Sequence, residues 1–126
     1  MGTVALRASS TVSSPSASEK ELSPRAILVV DDEPAICLLL AEMLSFTGHP
    51  VLTARSADEA LAQLRTHPIA VLIVDVQLAT TDGITFLERA LEVDSRILSI
   101  IMTGHGNIEM AVRAMKAGAA DFLTKP

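Results

Sequence analysis

The sequence has no Trp and no Tyr, and its three Phe are the only aromatic residues among 126. Basic side chains are also in the minority, with 10 Lys and Arg against 15 Asp and Glu and a net charge of -5. Nucleic-acid binding normally requires the opposite, a basic surface with aromatic side chains on which bases stack. Direct binding of DNA or RNA by this segment is therefore not expected.

Cysteine and long apolar runs are scarce as well. Cys37 is the only cysteine, so no internal disulfide can form. The apolar runs fall far short of the ~20 residues that a membrane-spanning helix needs. The chain is nevertheless 49% hydrophobic, which is enough to build the core of one domain. These properties predict a single soluble domain in the cytoplasm that does not bind a membrane.

Residues 1–25 differ in composition from the rest of the chain. They contain seven Ser, two Thr and two Pro, with little apolar periodicity. Such a composition is typical of disordered tails. We therefore predict a Ser-rich disordered tail over residues 1–25 and a folded domain over residues 26–126.

After the tail, short aliphatic runs alternate with segments of helical periodicity, the pattern of β-α units on a parallel sheet. Three runs are apolar on both faces, as in strands between two layers of helices, and two shorter runs complete the set. The sequence thus predicts an α/β fold with a five-stranded parallel sheet in the order 2-1-3-4-5. The predicted strands are Ala26–Val30, Val51–Ala54, Ile69–Val74, Ile97–Met102 and Asp121–Thr124.

Four helices are predicted between the strands. Each has a favourable first residue, which is Pro34, Ser56, Asp82 or Asn107, and Gly48 and Gly118 stand at the ends of the first and fourth. Apolar residues at helical spacing predict the faces that pack on the sheet. They are Ile36, Leu39, Leu40, Met43 and Leu44 in the first helix, Ala60, Leu61 and Leu64 in the second, Ile84, Leu87 and Leu91 in the third, and Ile108, Ala111, Val112 and Met115 in the fourth.

A final helix is missing from this pattern. A parallel sheet needs helices on both faces, yet no helical segment follows the last predicted strand. An amphipathic helix that buries about four side chains contributes ~6–12 kcal/mol before opposing terms. We therefore expect residues 26–126 to be a domain truncated before its last helix. It should be less stable alone than with a dozen or so further native residues, unless it pairs with another chain.

Acidic side chains directly follow two strands that are neighbours in the predicted order. Asp31 and Asp32 follow the first strand, and Asp75 follows the third. Ligand sites of such sheets lie at the carboxyl ends of the strands. At ~4 Å and an effective dielectric near 20, each pair of carboxylates repels by about 4 kcal/mol, so a cation is needed. Mg²⁺ prefers oxygen ligands, and the sequence therefore predicts a magnesium site here.

The next two strand ends carry complementary groups, the hydroxyl of Thr103 and the ammonium of Lys125. An acidic nucleophile, a metal site, a hydroxyl and a lysine together meet the requirements of phosphoryl transfer to a carboxylate. Asp75 is the best candidate for the nucleophile because its strand is central. Asp75, Thr103 and Lys125 are therefore the predicted catalytic residues.

Four motifs stand in this order and spacing: V-V-D-D-E-P, D-x-x-L-x-x-x-D-G, M-T-G-H-G and D-F-L-T-K-P. Together they resemble a two-component receiver domain, and the resemblance covers residues 25–126. M-T-G-H-G and the segment after it resemble the receivers of nitrogen-regulation-type transcriptional activators. The resemblance implies a flavodoxin-like, doubly wound fold. It also implies that Asp75 accepts a phosphoryl group from a histidine kinase or phosphotransfer protein in a phosphorelay.

The resemblance further implies a ligand set for Mg²⁺. Asp32 and Asp75 would bind the ion together with the backbone carbonyl of Gln77, and Asp31 would contribute directly or through the water shell of the metal. Receivers usually have Met-Pro where this chain has Leu78 and Ala79. The loop after Asp75 therefore lacks the restriction that Pro places on φ.

A switch is implied as well. Phosphorylation would draw the Thr103 hydroxyl toward the phosphoryl oxygens, and Phe122 would swing inward. Lys125 would bond the phosphoryl group, and its peptide bond to Pro126 is expected to be cis. Partners or a second copy of the chain would dock on the face formed by the fourth helix, the fifth strand and the absent last helix, which makes a homodimer an option.

Other readings stay open. A pseudo-receiver would have the same fold without phosphorylation and serve as a protein-interaction or dimerisation module. A dehalogenase-type phosphatase is disfavoured because Gln77 stands where that class has a second Asp, and dinucleotide binding is disfavoured because Glu109 replaces the third Gly of the fingerprint. No turnover of a free substrate is implied, so the chain is not predicted to be an enzyme in the usual sense.

Overall fold

The computed structural model describes residues 25–78, 81–104 and 108–126. Its strands form one parallel sheet in the order β2-β1-β3-β4-β5, which confirms the predicted topology. The strands are β1 (Ala26–Val30), β2 (Val51–Ala54), β3 (Ile69–Asp75), β4 (Leu98–Thr103) and β5 (Asp121–Thr124).

The helices follow the predicted segments. They are α1 (Pro34–Leu44), α2 (Ala57–Thr66), α3 (Gly83–Val93) and α4 (Ile108–Lys116), and a short 3-10 turn (Ser45–Thr47) extends α1. Two predicted caps are confirmed. Ser56 Oγ accepts a hydrogen bond from the Glu59 N–H at 3.1 Å, and Asp82 Oδ1 accepts one from the Ile84 N–H at 3.2 Å. The predicted cap of α4, Asn107, lies outside the described residues.

One face of the sheet packs against α2, α3 and α4. Leu28 and Val30 of β1 and Leu72 and Val74 of β3 are fully buried there. Phe86 of α3 is fully buried among them. This face contains the larger part of the hydrophobic core.

The opposite face packs against α1 through Cys37 and Leu40, which lie over β1 and β3. Cys37 is a free, buried cysteine in this part of the core. Toward β4 and β5 this face is open, because Leu98 is 51% exposed and Leu123 is 37% exposed. The expectation that the β4 run is buried on both faces is therefore wrong for Leu98.

The apolar stripes of α1 and α4 are only partly buried. In α1, Leu39 and Met43 are exposed because the helix turns only Cys37 and Leu40 fully into the core. In α4, the small side chains of Ala111 and Ala114 are buried. The prediction of a core position is wrong for the larger residues of these stripes, namely Leu39, Met43, Ile108, Val112 and Met115.

Both predicted glycine ends adopt a left-handed backbone, with φ of 82° at Gly48 and 115° at Gly118. Arg25, the last residue of the predicted tail, donates a hydrogen bond to the Ile69 carbonyl and lies 3.7 Å from a carboxylate oxygen of Asp94. None of the described helices is long and apolar enough to cross a bilayer.

Candidate functional site

A cavity of about 420 Å³ lies at the carboxyl edge of the sheet, where the predicted site residues converge. Parallel strands bring these residues together because all of them follow or end a strand. The lining residues are Asp32, Glu33, Asp75, Val76, Gln77, Thr103, Gly104, Met110 and Lys125. The structure thus places Asp32, Asp75, Gln77, Thr103 and Lys125 around one pocket.

Four acidic side chains meet at this pocket. One carboxylate oxygen from each of Asp31, Asp32, Glu33 and Asp75 lies within 4.8 Å of the others. The turns after β1 and β3 orient two of them. The Glu33 N–H donates to Asp31 Oδ1 at 2.9 Å, and the Gln77 N–H donates to Asp75 Oδ1 at 3.1 Å.

Lys125 holds three of these acids together. Its Nζ lies 3.0 Å from Asp31 Oδ2, 2.9 Å from Asp75 Oδ2 and 2.8 Å from Glu33 Oε1. The backbone N–H of Lys125 donates a hydrogen bond to the Thr103 carbonyl at 2.9 Å, which holds the backbone of Lys125 beside the end of β4. Sequence reasoning missed Glu33 as a site residue, although its place after two predicted ligands was a signal.

Burial and charge act on these groups in opposite directions. Burial alone would lower the pKa of Lys125, but the hydrogen bond that its ammonium donates to Glu33 and its contacts with the Asp75 and Asp31 carboxylates raise that pKa well above its ordinary value. Burial raises the pKa of Asp31, and the hydrogen bond from the Glu33 N–H and the contact with Lys125 offset part of that rise. One ammonium thus faces four carboxylates, and the pocket keeps an excess of negative charge.

The donor set fits a hard divalent cation. Asp31 Oδ2 is buried and has no hydrogen-bond partner beyond the ion pair with Lys125, so an oxygen lone pair is available inside the pocket. All side-chain donors of the cluster are carboxylate oxygens, the type that Mg²⁺ and Ca²⁺ prefer. The residues that could hold such an ion are Asp31, Asp32, Asp75 and, through its backbone, Gln77.

Gly83 keeps the start of α3 against the acceptor strand. The Gly83 N–H donates to the Val76 carbonyl at 2.9 Å, and a Cβ at this position would overlap the Asp75 carbonyl oxygen. Only glycine therefore allows α3 to begin this close to Asp75.

The two predicted switch residues occupy different positions. Thr103 is buried and lines the pocket, whereas Phe122 is 45% exposed on β5, outside the pocket. Leu78 packs against the core, and Ala79 and His105 lie outside the described residues. The predicted cis bond between Lys125 and Pro126 is wrong, because no described peptide bond is cis and trans is the ordinary state of such bonds.

Comparison with known proteins places this geometry in a family. Residues 27–126 match the family model described as the response regulator receiver domain. The nitrogen assimilation regulatory protein NtrX of Azorhizobium caulinodans is 40% identical over 102 residues, which are 79% of this chain and 22% of that protein. The chain thus spans less than a quarter of the length of this curated relative.

Solved structures agree. The beryllofluoride-activated NtrC4 receiver domain dimer is 36% identical with a TM-score of 0.75, over 80% of this chain and 84% of that one. A response regulator protein from Burkholderia pseudomallei, solved with a phosphorylated aspartic acid, calcium ion and citrate, is 29% identical with a TM-score of 0.76, over 81% of this chain and 60% of that one. The predicted flavodoxin-like fold and the resemblance to nitrogen-regulation-type receivers are therefore confirmed. The chain belongs to the family of receiver domains of two-component response regulators, which act in signal transduction.

Proposed function

We propose that Asp75 accepts a phosphoryl group from a histidine kinase or phosphotransfer protein in a Mg²⁺-dependent transfer. One observation carries the proposal: a nearly buried Asp75 carboxylate lies 2.9 Å from the Lys125 ammonium, inside a cluster of further acids. The Burkholderia pseudomallei neighbour contains a phosphorylated aspartic acid and a calcium ion, which supports the same chemistry here.

The proposed step makes an aspartyl phosphate. A carboxylate oxygen of Asp75 attacks phosphorus, the phosphorus–nitrogen bond to the donor histidine breaks, and its electron pair leaves with the imidazole. Lys125 and Thr103 donate hydrogen bonds to the transferred oxygens, where the negative charge resides. Water later attacks phosphorus, which restores the carboxylate and releases inorganic phosphate, so the chain acts only on its own phosphorylation state.

Asp31, Asp32, Asp75 and the Gln77 carbonyl would hold the magnesium ion. When bound, the ion supplies neutralising charge for the transferred group. The buried oxygen of Asp31 that lacks a hydrogen-bond partner supports this assignment.

We further propose that phosphorylation switches a surface for a partner, an output domain or a second copy. Thr103 would move toward the phosphoryl oxygens and Phe122 would turn inward. In the parallel pairing of β4 with β5, Ile101 lies opposite Phe122 and Thr103 lies opposite Thr124. A shift at the end of β4 would therefore act directly on β5. The NtrC4 receiver neighbour is a dimer, which supports pairing of copies.

The domain boundaries are a proposal as well: a tail over residues 1–25 and a receiver over residues 26–126 that a further helix completes. The open sheet face at Leu98 and Leu123 supports such a helix, which would cover this face. A chain carrying the next dozen or more native residues should then melt at a higher temperature. An equal melting temperature, with the shorter chain a monodisperse monomer, would contradict the proposal.

Acetyl phosphate tests the phosphoryl transfer directly, because it can replace the protein donor. With Mg²⁺ it should modify the wild type and Asp82→Asn, whose carboxyl caps α3 and pairs with Arg113, but should leave Asp75→Asn unmodified. Phosphate-affinity electrophoresis separates the two forms, and a chelator should abolish the shift. Equal modification of Asp75→Asn would exclude Asp75, and no modification of the wild type would favour the pseudo-receiver.

A further inference from the structure

We infer that Glu33 is a positioning residue for Lys125, occupying one hydrogen of the ammonium in the resting pocket and releasing it to an oxygen of the phosphoryl group. The inference rests on the proposed function, because it assumes that a phosphoryl group enters this pocket. Glu33 would thereby set how readily the Lys125 ammonium can bond a phosphoryl oxygen.

Lys125 already has three carboxylate partners in the pocket. Asp31, Glu33 and Asp75 each place a carboxylate oxygen 2.8 to 3.0 Å from Nζ. Among these contacts, Nζ donates a hydrogen bond to Glu33 Oε1 at 2.8 Å, which occupies one of the three N–H groups of the ammonium. A phosphoryl oxygen must therefore compete with these carboxylates for Lys125.

Glu33 is the carboxylate that withdraws at least cost. The Asp31 side chain is 0% exposed and that of Asp75 is 7% exposed, so water reaches these two carboxylates far less than it reaches Glu33. The Glu33 side chain is 60% exposed, and its carboxylate can turn to solvent. The most exposed of the three contacts is also the shortest, at 2.8 Å, so Glu33 both holds Lys125 and can leave it.

Local structure leaves the Glu33 side chain available for this contact. Glu33 is the N-cap residue of α1, yet its side chain makes no capping hydrogen bond. The backbone is fixed instead, since the N–H donates to Asp31 Oδ1 at 2.9 Å and the carbonyl accepts from Ile36 at 3.1 Å. The side chain thus starts from an anchored position and reaches across 92 residues of sequence to Lys125.

Removing the contact should make the pocket bind a phosphoryl analogue more tightly. We would titrate beryllofluoride at saturating Mg²⁺ and follow amide NMR signals. Glu33→Gln and Glu33→Asp should each lower the Kd by a factor of up to about five relative to the wild type, the upper end for loss of a competing exposed ion pair. Glu33→Asp keeps the negative charge but is too short to reach Lys125. It therefore distinguishes loss of the contact with Lys125 from loss of the electrostatic repulsion between Glu33 and the anionic analogue. Glu42→Gln, on the exposed side of α1, is the control and should match the wild type.

A second readout needs neither metal nor analogue. Competitive amine labelling with mass spectrometry compares Lys125 with the exposed Lys116. Both Glu33 variants should speed labelling of Lys125 about threefold relative to Lys116, because one of its contacts is lost.

The outcomes separate the two proposals. A wild type that binds no beryllofluoride overturns the proposed function and this inference with it. Wild-type binding with an unchanged Kd in Glu33→Gln and Glu33→Asp overturns the role of Glu33 alone. A lower Kd in Glu33→Gln only would mean that charge rather than contact matters, which also overturns it.

Discussion

The two halves of the sheet differ in how firmly they are packed, and the site draws on both. In β1 and β3, Leu28, Val30 and Val74 are fully buried, and the acids Asp31 and Asp75 follow directly. In β5 every residue is exposed. The acids Asp31 and Asp75 thus extend from buried strand ends, whereas Phe122 and Lys125 lie on or directly after the exposed β5 of this chain.

The largest difference between the halves should appear in stability. Leu72→Ala removes a fully buried side chain of β3 and should lower the free energy of unfolding by ~2–5 kcal/mol. The same change at Leu98, which is 51% exposed on β4, should cost less than about 1 kcal/mol. Urea denaturation measures both. Equal losses would show that the β4–β5 half is as well packed as the other.

Lys125, which follows β5, is ion-paired with acids at the ends of β1 and β3, so removal of its charge tests how strongly this contact joins the two halves of the sheet. Without Mg²⁺, Lys125→Met should lower the free energy of unfolding by ~3 kcal/mol, the low end for a broken buried ion pair, because Asp31 and Asp75 lose the cation that compensates them. Mg²⁺ should reduce this loss, since it would neutralise the same acids.

Lys116→Met is the matched control, because Lys116 is exposed on α4. Its effect should be within about 0.5 kcal/mol with or without Mg²⁺. Thermal or urea denaturation with and without the ion checks both variants. A loss in Lys125→Met that Mg²⁺ leaves unchanged would contradict a shared role of ion and lysine.

Most of the fold and of the pocket could be predicted from the sequence, because aliphatic runs mark buried strands and parallel strands end at one edge. The residues after those runs, such as Asp75 and Lys125, therefore had to meet. What covers a helix face could not be predicted, because periodicity shows which residues share a face and not what lies opposite. Met43 and Val112 are exposed for that reason. The contact between Glu33 and Lys125 was equally out of reach, since it depends on side-chain conformation.

The smallest effect should come from a surface ion pair away from the site. The hydrogen bonds from the Arg96 side chain and N–H and the nearby charges of Arg96 and Arg25 hold the pKa of Asp94 below its ordinary value of 3.8. Because the pKa of Asp94 is lower in the folded chain, the unfolded chain protonates Asp94 first as the pH falls. The stabilisation that Asp94 contributes is therefore present above its ordinary pKa and is lost as the pH falls through the lowered pKa.

Asp94→Asn should accordingly cost about 0.5 kcal/mol at neutral pH, because its hydrogen-bonded partner Arg96 is largely exposed. The difference from the wild type should vanish as the pH falls through the lowered pKa of Asp94. Denaturation at several pH values measures it, and a difference that grows toward acid would be the wrong sign.

The central claim is that the firmly packed half carries the acceptor, and chemical mapping of the aspartyl phosphate tests it most directly. After treatment with acetyl phosphate and Mg²⁺, borohydride reduces an acyl phosphate to an alcohol, so a phosphorylated aspartate becomes homoserine. Peptide mass spectrometry should find homoserine at position 75 alone. Homoserine at position 31 or 32, or the reduced form of Glu33, in place of a product at position 75 would contradict the account.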